Sequence, residues 1–431
     1  MAELKPKLKN DCFAYGETLM PLADALAVLA DRIDAVAGSE LLPLASCYGR
    51  TLAVDVTAPC NVPPADNAAV DGFAVFWDDL VPNGETRLPV VARIAAGHAH
   101  RGAVARGTAF RIFTGAPVPK DENGIGPDTV FMQEDCAEAA GVVTLPAGIE
   151  KGANRRFAGE DVKSGDVILT AGGRLRPQDV GLAASVGVSE LTVFKPLQAA
   201  VFSTGDEVRD PADAAPPGAI FDANRYTVTG LLRDLGCTVT DLGILADDPA
   251  AVRAALEGAA ADHDVIITSG GVSQGEEDHI AAAVEALGSL HFWRLAIKPG
   301  RPIALGQIDT KAAGAAFIGL PGNPVASMVT FMMIARPVLL RMGGRADLAP
   351  MRYQVPLAGA IKKKTGRREW VRGVLVRGSN GRLSVEKFPL GGAGILTSMV
   401  AAHGLIELPE EQGNQDVGAL VDFIPFCEVR S

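Results

Sequence analysis

The chain has 431 residues, 48% of them hydrophobic and only 5% aromatic, with 48 glycines and 28 prolines. A single core stops growing near roughly 250–300 residues, so several domains are expected, and abundant turn formers with few aromatics favour α/β and β domains over a helical bundle or a disordered chain. The 40 basic and 51 acidic residues leave a net charge of −11, which argues against nucleic acid as a partner but allows a small anion held by local bases.

Cys12, Cys47, Cys60, Cys136, Cys237 and Cys427 show no C-x-x-C spacing. Neither a zinc site nor a redox pair is indicated, and a cytoplasmic location fits. The N-terminus lacks the apolar core of a signal peptide, and the most apolar stretch, residues 317–340, is interrupted by prolines and an asparagine. No membrane partner is expected.

In chain order, residues 18–33 carry apolar positions at helical spacing, with Thr18 as a cap and Pro21 in the first turn. Between about 50 and 150 the pattern becomes short valine-rich runs broken by Gly and Pro, which predicts a β domain. Helix and turn patterns return over 151–195, including RPQDVGLAASVG. The β part, 61–150, therefore reads as an insertion into a first domain made of 1–60 and 151–195.

From 196 to 345 strands and helices alternate. Strands are expected at QAAVFS, CTVTDLG, DVIIT, FWRLAI and AAFIGL; helices are expected at NRYTVTGLLRDLG, at DDPAAVRAALEGAA, near 277–287 and after Pro324. This predicts a parallel, doubly wound sheet, in which ligands bind beyond the carboxyl ends of the strands. Residues 346–431 are strand-like again, with a hairpin-type turn at GSNG, and form a small β domain.

Three loops follow predicted strands and should share one rim: STGDE at 203–207, SGGVSQGEED at 269–278 and LPGNP at 320–324. Gly205, Gly270, Gly271 and Gly275 permit backbone N–H groups to face a phosphate, with Ser269, Ser273, Pro321, Gly322 and Asn323 beside them. Glu207 and Asp278 are candidate ligands for Mg²⁺, which takes one or two carboxylates and completes its shell with water and phosphate oxygens. Glu276 and Glu277 read as first-turn helix acids. RLAIKPGRP brings Arg294, Lys298 and Pro299 to the same edge. His98 and His100 read as a surface pair without a third ligand, and KKKTGRR reads as a solvated loop.

Taken together, NAAVDGFAV, RIFTGAPVP, NRRFAGEDV, STGDE, ITSGGVSQGEED, LAIKPGRP, LPGNP and the closing β domain resemble, in order and over nearly the whole chain, the molybdopterin molybdenumtransferases. The resemblance implies a multi-domain α/β plus β architecture, with a doubly wound α/β molybdopterin-binding domain, an inserted β domain and a C-terminal β-barrel. It implies a homodimer with its active site between subunits. The implied reaction inserts molybdate into adenylylated molybdopterin with release of AMP, assisted by a divalent cation, Mg²⁺. The adenylyltransferase of the same pathway is an implied partner.

In that resemblance Glu207, Asp247 and Asp278 match acidic positions around the metal and pyrophosphate. Asp71, Thr114 and Asp161 match functional positions in the other domains. Arg294 and Lys298 match two basic positions, the first usually lysine, and Arg372 matches a C-terminal arginine. Ala393 and Ala326 stand where the family often has serine, which affects hydroxyl donors to the oxyanion and the choice between molybdate and tungstate. Two other readings are an adenylyltransferase, which needs only the α/β domain, and a non-enzymatic scaffold.

Overall fold

The computed structural model describes residues 19–271, 279–309, 314–378 and 381–430. Its central layer is a six-stranded sheet in the order Thr238–Leu245, Gln198–Thr204, Val265–Ser269, Gly314–Leu320, Pro302–Asp309 and Gly288–Arg294. The β-branched run at 265–267 is buried on both faces, as an interior strand requires. Side chains alternate between two cores. Ala199, Val201, Val265 and Ile267 face Val228 and Leu232 of the helix Asn224–Asp234 and the apolar helix after Pro324. Ala200, Phe202 and Ile266 face Val252, Leu256, Ile280 and Val284 of the helices Pro249–Asp262 and His279–Leu287. The layer is therefore doubly wound.

It is not wholly parallel. The first four strands of that order are parallel, whereas Pro302–Asp309 runs antiparallel to both of its neighbours. The connection from Asp309 to Gly314 is too short for a crossover helix, so those strands must be antiparallel. The expected strand FWRLAI is also divided. Leu295 N–H turns to the Arg301 carbonyl and Ala296 N–H to that of Met20, so the chain leaves the sheet and Ile297–Lys298 pairs with Arg368–Glu369 of the C-terminal sheet.

The helical run Pro324–Met342 is long and apolar enough to cross a membrane, but 83% of its apolar window is buried inside the protein. It is a core element. A wider π-type turn at Phe331–Ala335 precedes Pro337; such a turn relieves the clash between the proline ring and the carbonyl four residues earlier. The helix Leu22–Arg32 starts after Pro21 with no side-chain cap, and Thr18 lies outside the described residues. Its Leu22, Ala25 and Leu29 join the α/β core, whereas the sequence groups them with the first domain.

The segments flanking the inserted β region pair with each other. Ser39–Pro43 pairs with Glu190–Phe194, and Val56–Thr57 pairs with Val167–Leu169. Val62 bridges Val162, and Asn67–Ala68 pairs with Arg155–Arg156 where the chain enters and leaves. Between them lies a six-stranded sheet whose outer strands are Thr129–Met132 and Ala137–Ala139. At the C-terminus, Leu383–Lys387, Arg368–Arg377, Gly404–Leu408, Leu420–Pro425 and Tyr353–Pro356 pair in succession. A bridge from Leu357 to Val385 closes them into a small barrel around Ile406 and Phe423.

Candidate active site at the rim of the parallel strands

Register places the strand-end loops side by side. Ser203 lies opposite Ser269, and Ser269 opposite Leu320. Gly270 and Gly271 adopt φ of +91° and +62°, which L side chains rarely adopt. A Cβ on Gly271 would meet Ile280 Cδ1 at 2.6 Å and Thr204 Cγ2 at 2.7 Å. Asn224, at the start of its helix, ties the loops together. Its Nδ2 donates to Ser269 Oγ at 2.8 Å and to the Gly322 carbonyl at 2.7 Å. Ser269 Oγ donates to the Pro321 carbonyl, and Ser327 Oγ donates to Ser269 Oγ. Asn323 precedes the helix Pro324–Thr330, and its carbonyl accepts from Ser327 N–H.

The basic residues enter from the next strands. Two antiparallel steps bring the carboxyl end of Gly288–Arg294 back to this rim, with Arg294 opposite Pro302 and exposed. Beyond it lies the cis Lys298–Pro299 peptide. The following turn sits on the helix after Pro324, since a Cβ on Gly300 would meet Thr330 Oγ1 at 2.3 Å. Lys298 is exposed, and its Nζ donates to the buried carboxylate of Glu369 at 3.2 Å; Arg367 Nε donates to the other oxygen at 2.8 Å.

Arg372 is 8% exposed. It donates from Nε to Ser398 Oγ at 3.0 Å and from Nη2 to the Gly392 carbonyl at 3.2 Å. Burial lowers its affinity for the proton. The loop that it holds reaches the rim, because Val325 N–H donates to the Ala393 carbonyl at 2.9 Å.

Glu207 and Asp247 follow adjacent strands and are exposed. Gly205 has φ of +130°, and a Cβ there would lie 2.8 Å from Glu207 Oε2, so glycine gives this carboxylate room to fold back. Among the described residues no three ligand-type side chains cluster as a metal site. Two exposed carboxylates on neighbouring strand ends nevertheless fit Mg²⁺, which takes few protein ligands. Ser273, Gly275 and Asp278 lie outside the described residues, as do Glu276 and Glu277.

Asp71 and Thr114 form a separate pair in the inserted β region. Asp71 Oδ1 accepts from Thr114 N–H and from Thr114 Oγ1, each at 2.8 Å. These bonds hold the Asp71 carboxyl below its ordinary value. Asp161 is exposed where the chain returns, its N–H bonded to the Val62 carbonyl. Among the described residues, no hydrogen bond or ion pair joins these three to the rim.

Asn224, Ser327 and Glu369 are absent from the sequence-based site. Asn224 looks like an ordinary helix-start residue, and Glu369 looks like one charge in an alternating strand. Their contacts cross 45 and 71 positions of chain respectively, which local pattern does not encode. Of the outlying His98 and His100, His100 contacts the Ala103 carbonyl through Nε2 and packs in a T-shaped arrangement with Phe110.

Comparison with known proteins covers the chain in three parts. Residues 20–187 match the MoeA N-terminal region (domains I and II), 200–341 match the probable molybdopterin binding domain, and 354–426 match the MoeA C-terminal region (domain IV). The chain is 35% identical over 410 residues to the molybdopterin molybdenumtransferase of Haemophilus influenzae, covering 95% of this chain and 99% of that one. It is 32% identical to molybdopterin molybdenumtransferase 2 of Mycobacterium tuberculosis, over 86% and 91% of the two chains. A crystal structure of a molybdopterin biosynthesis MoeA protein from Pyrococcus horikoshii matches with a TM-score of 0.80 at 27% identity, covering 95% of this chain and 100% of that one. With matches along nearly its whole length, the chain belongs to the MoeA family of molybdopterin molybdenumtransferases.

Proposed function

We propose that this enzyme inserts molybdenum into molybdopterin, taking molybdate and adenylylated molybdopterin as substrates and releasing AMP. The observation that carries this reading is the rim itself. The glycine loop at 269–271, the loop at 320–324 and the Lys298 turn meet there, and the loop held by Arg372 is seated against the start of the helix after Pro324. Gly270 N–H donates to the Leu320 carbonyl at 3.1 Å, which leaves the left-handed Gly271 N–H as the backbone donor that suits a phosphate. The exposed Lys298 ammonium suits an oxyanion, to which its hydrogen bonds would be charge-assisted.

Glu207 and Asp247 would hold Mg²⁺ at this edge, with Asp278 joining them by sequence. A bound cation would neutralise charge on the leaving phosphate. Within that site the two carboxylates fix the cation's place, and Lys298 orients the oxyanion.

The separation of Asp71, Thr114 and Asp161 from the rim supports a homodimer in which the second subunit supplies them. A cytoplasmic location accords with the free thiols of Cys47, Cys60, Cys136 and Cys237. The adenylyltransferase that makes the substrate is the implied partner. The test is reconstitution: purified protein, adenylylated molybdopterin, molybdate and Mg²⁺ should restore activity to a cofactor-free molybdoenzyme. Failure to restore it, with intact substrate and recipient, would reject the reading.

A further inference from the structure

We propose that Arg225 is a positioning residue for Glu207, clamping the exposed excursion of chain that carries Glu207 onto the edge of the sheet. This rests on the reading of Glu207 as part of the active site.

The excursion runs from Gly205 to Asp222. Its two limbs, Val208–Arg209 and Ile220–Phe221, pair with each other, and Ile220 N–H donates to the Glu207 carbonyl at 2.8 Å. No residue from 205 to 221 is buried, and even Ile220 and Phe221 are more than half exposed. Apolar burial, the usual anchor of a loop, therefore does not fix Glu207.

What holds the excursion is polar. Arg225 is 5% exposed and spreads its guanidinium over three carboxylates. Nε donates to Asp222 at 3.0 Å, Nη2 to Asp210 and Nη1 to Asp241. Asp210 closes the near limb, three residues beyond Glu207. Asp222 closes the far limb, and Asp241 belongs to the sheet strand Thr238–Leu245. One side chain thus joins both limbs to the sheet. Tyr226 Oη adds a bond to Asp210 at 3.2 Å. A planar fork of donors can serve three acceptors in fixed directions, which a lysine ammonium on the same backbone cannot.

The test uses Asp210→Asn, which weakens only the arm to the near limb and leaves the Asp222 and Asp241 pairs to keep the fold. Amide exchange over residues 206–221 should rise about tenfold, as should the Mn²⁺ concentration that half-saturates the protein in an electron paramagnetic resonance titration. Turnover should fall while KM for adenylylated molybdopterin stays within about twofold, the pattern of a group acting only on the chemical step. Arg225→Lys should show the same pattern. Because the clamp acts through Glu207, Asp210→Asn should add little to the defect of Glu207→Gln.

Wild-type exchange and Mn²⁺ titration in Asp210→Asn, beside an inactive Glu207→Gln, would overturn the clamp alone. Full activity in Glu207→Gln would overturn the role of Glu207, and the positioning role with it, whatever the exchange shows.

Discussion

Lys298 donates to Glu369 across a domain junction, linking the edge of the α/β layer to a barrel strand that pairs with it in register. The Glu369 side chain is buried while that of Lys298 is 57% exposed. At the proposed site an incoming oxyanion would compete with Glu369 for the Lys298 ammonium.

Lys298→Gln should raise the molybdate concentration needed for half-maximal turnover by roughly one to two decades, since a charge-assisted hydrogen bond contributes about 1.5–3 kcal/mol. Glu369→Gln should lower that concentration several-fold by removing the internal competitor. Wild-type molybdate dependence in Lys298→Gln would place this residue in the solvated surface. A raised requirement in Glu369→Gln would show that the carboxylate aligns the lysine instead of competing for it.

Arg372 contacts Ser398 and the carbonyls of Leu390 and Gly392, so at the proposed site it would act on the oxyanion through the loop that it holds. Arg372→Gln should speed amide exchange over residues 390–396 and raise the molybdate requirement together. Ala393→Ser is the converse probe. Ala393 already bonds to Val325, and a hydroxyl there should tighten molybdate; an unchanged requirement would put the loop out of reach of the anion.

Gly270 and Gly271 differ in what surrounds them. At Gly270 an added Cβ has only Thr204 O within reach, at 3.9 Å, whereas at Gly271 it strikes two side chains. Gly270→Ala should cost about 1–2 kcal/mol for its left-handed backbone. Gly271→Ala should cost about 2–4 kcal/mol, because overpacking adds to the same penalty. Urea unfolding followed through the α/β layer measures the order, and equal midpoints would contradict the packing described.

Much of this site was legible locally. β-branched strands followed by glycine-rich loops marked Ser269 to Gly271 and Pro321 to Asn323, and at Gly270 and Gly271 the left-handed backbone itself demands glycine. The strand Pro302–Asp309 was not legible: it opens on proline, contains Gly306 and pairs by a register that only the assembled sheet defines. The same holds for Arg225, whose three carboxylates stand at 210, 222 and 241. Each reads alone as a surface charge, and only the fold brings them to one guanidinium.

Asp71 offers a test by pH. Its folded carboxyl is held low by the Thr114 bonds, so the stability that it contributes is present above the unfolded value of about 3.9 and is lost as pH falls through the lower folded value. Thr114→Val should move the Asp71 titration upward in a carbon-13 NMR titration of its carboxyl. An unmoved midpoint would mean that Thr114 does not set its charge.

Molybdenum transfer itself is tested most directly by a single-turnover reaction with purified protein, adenylylated molybdopterin, molybdate and Mg²⁺, in which AMP and protein-bound molybdenum cofactor are measured from the same samples. The expected result is equal amounts of AMP and cofactor, rising together and only when molybdate and the cation are both present. AMP released without cofactor at every molybdate concentration, or no AMP at all, would contradict it.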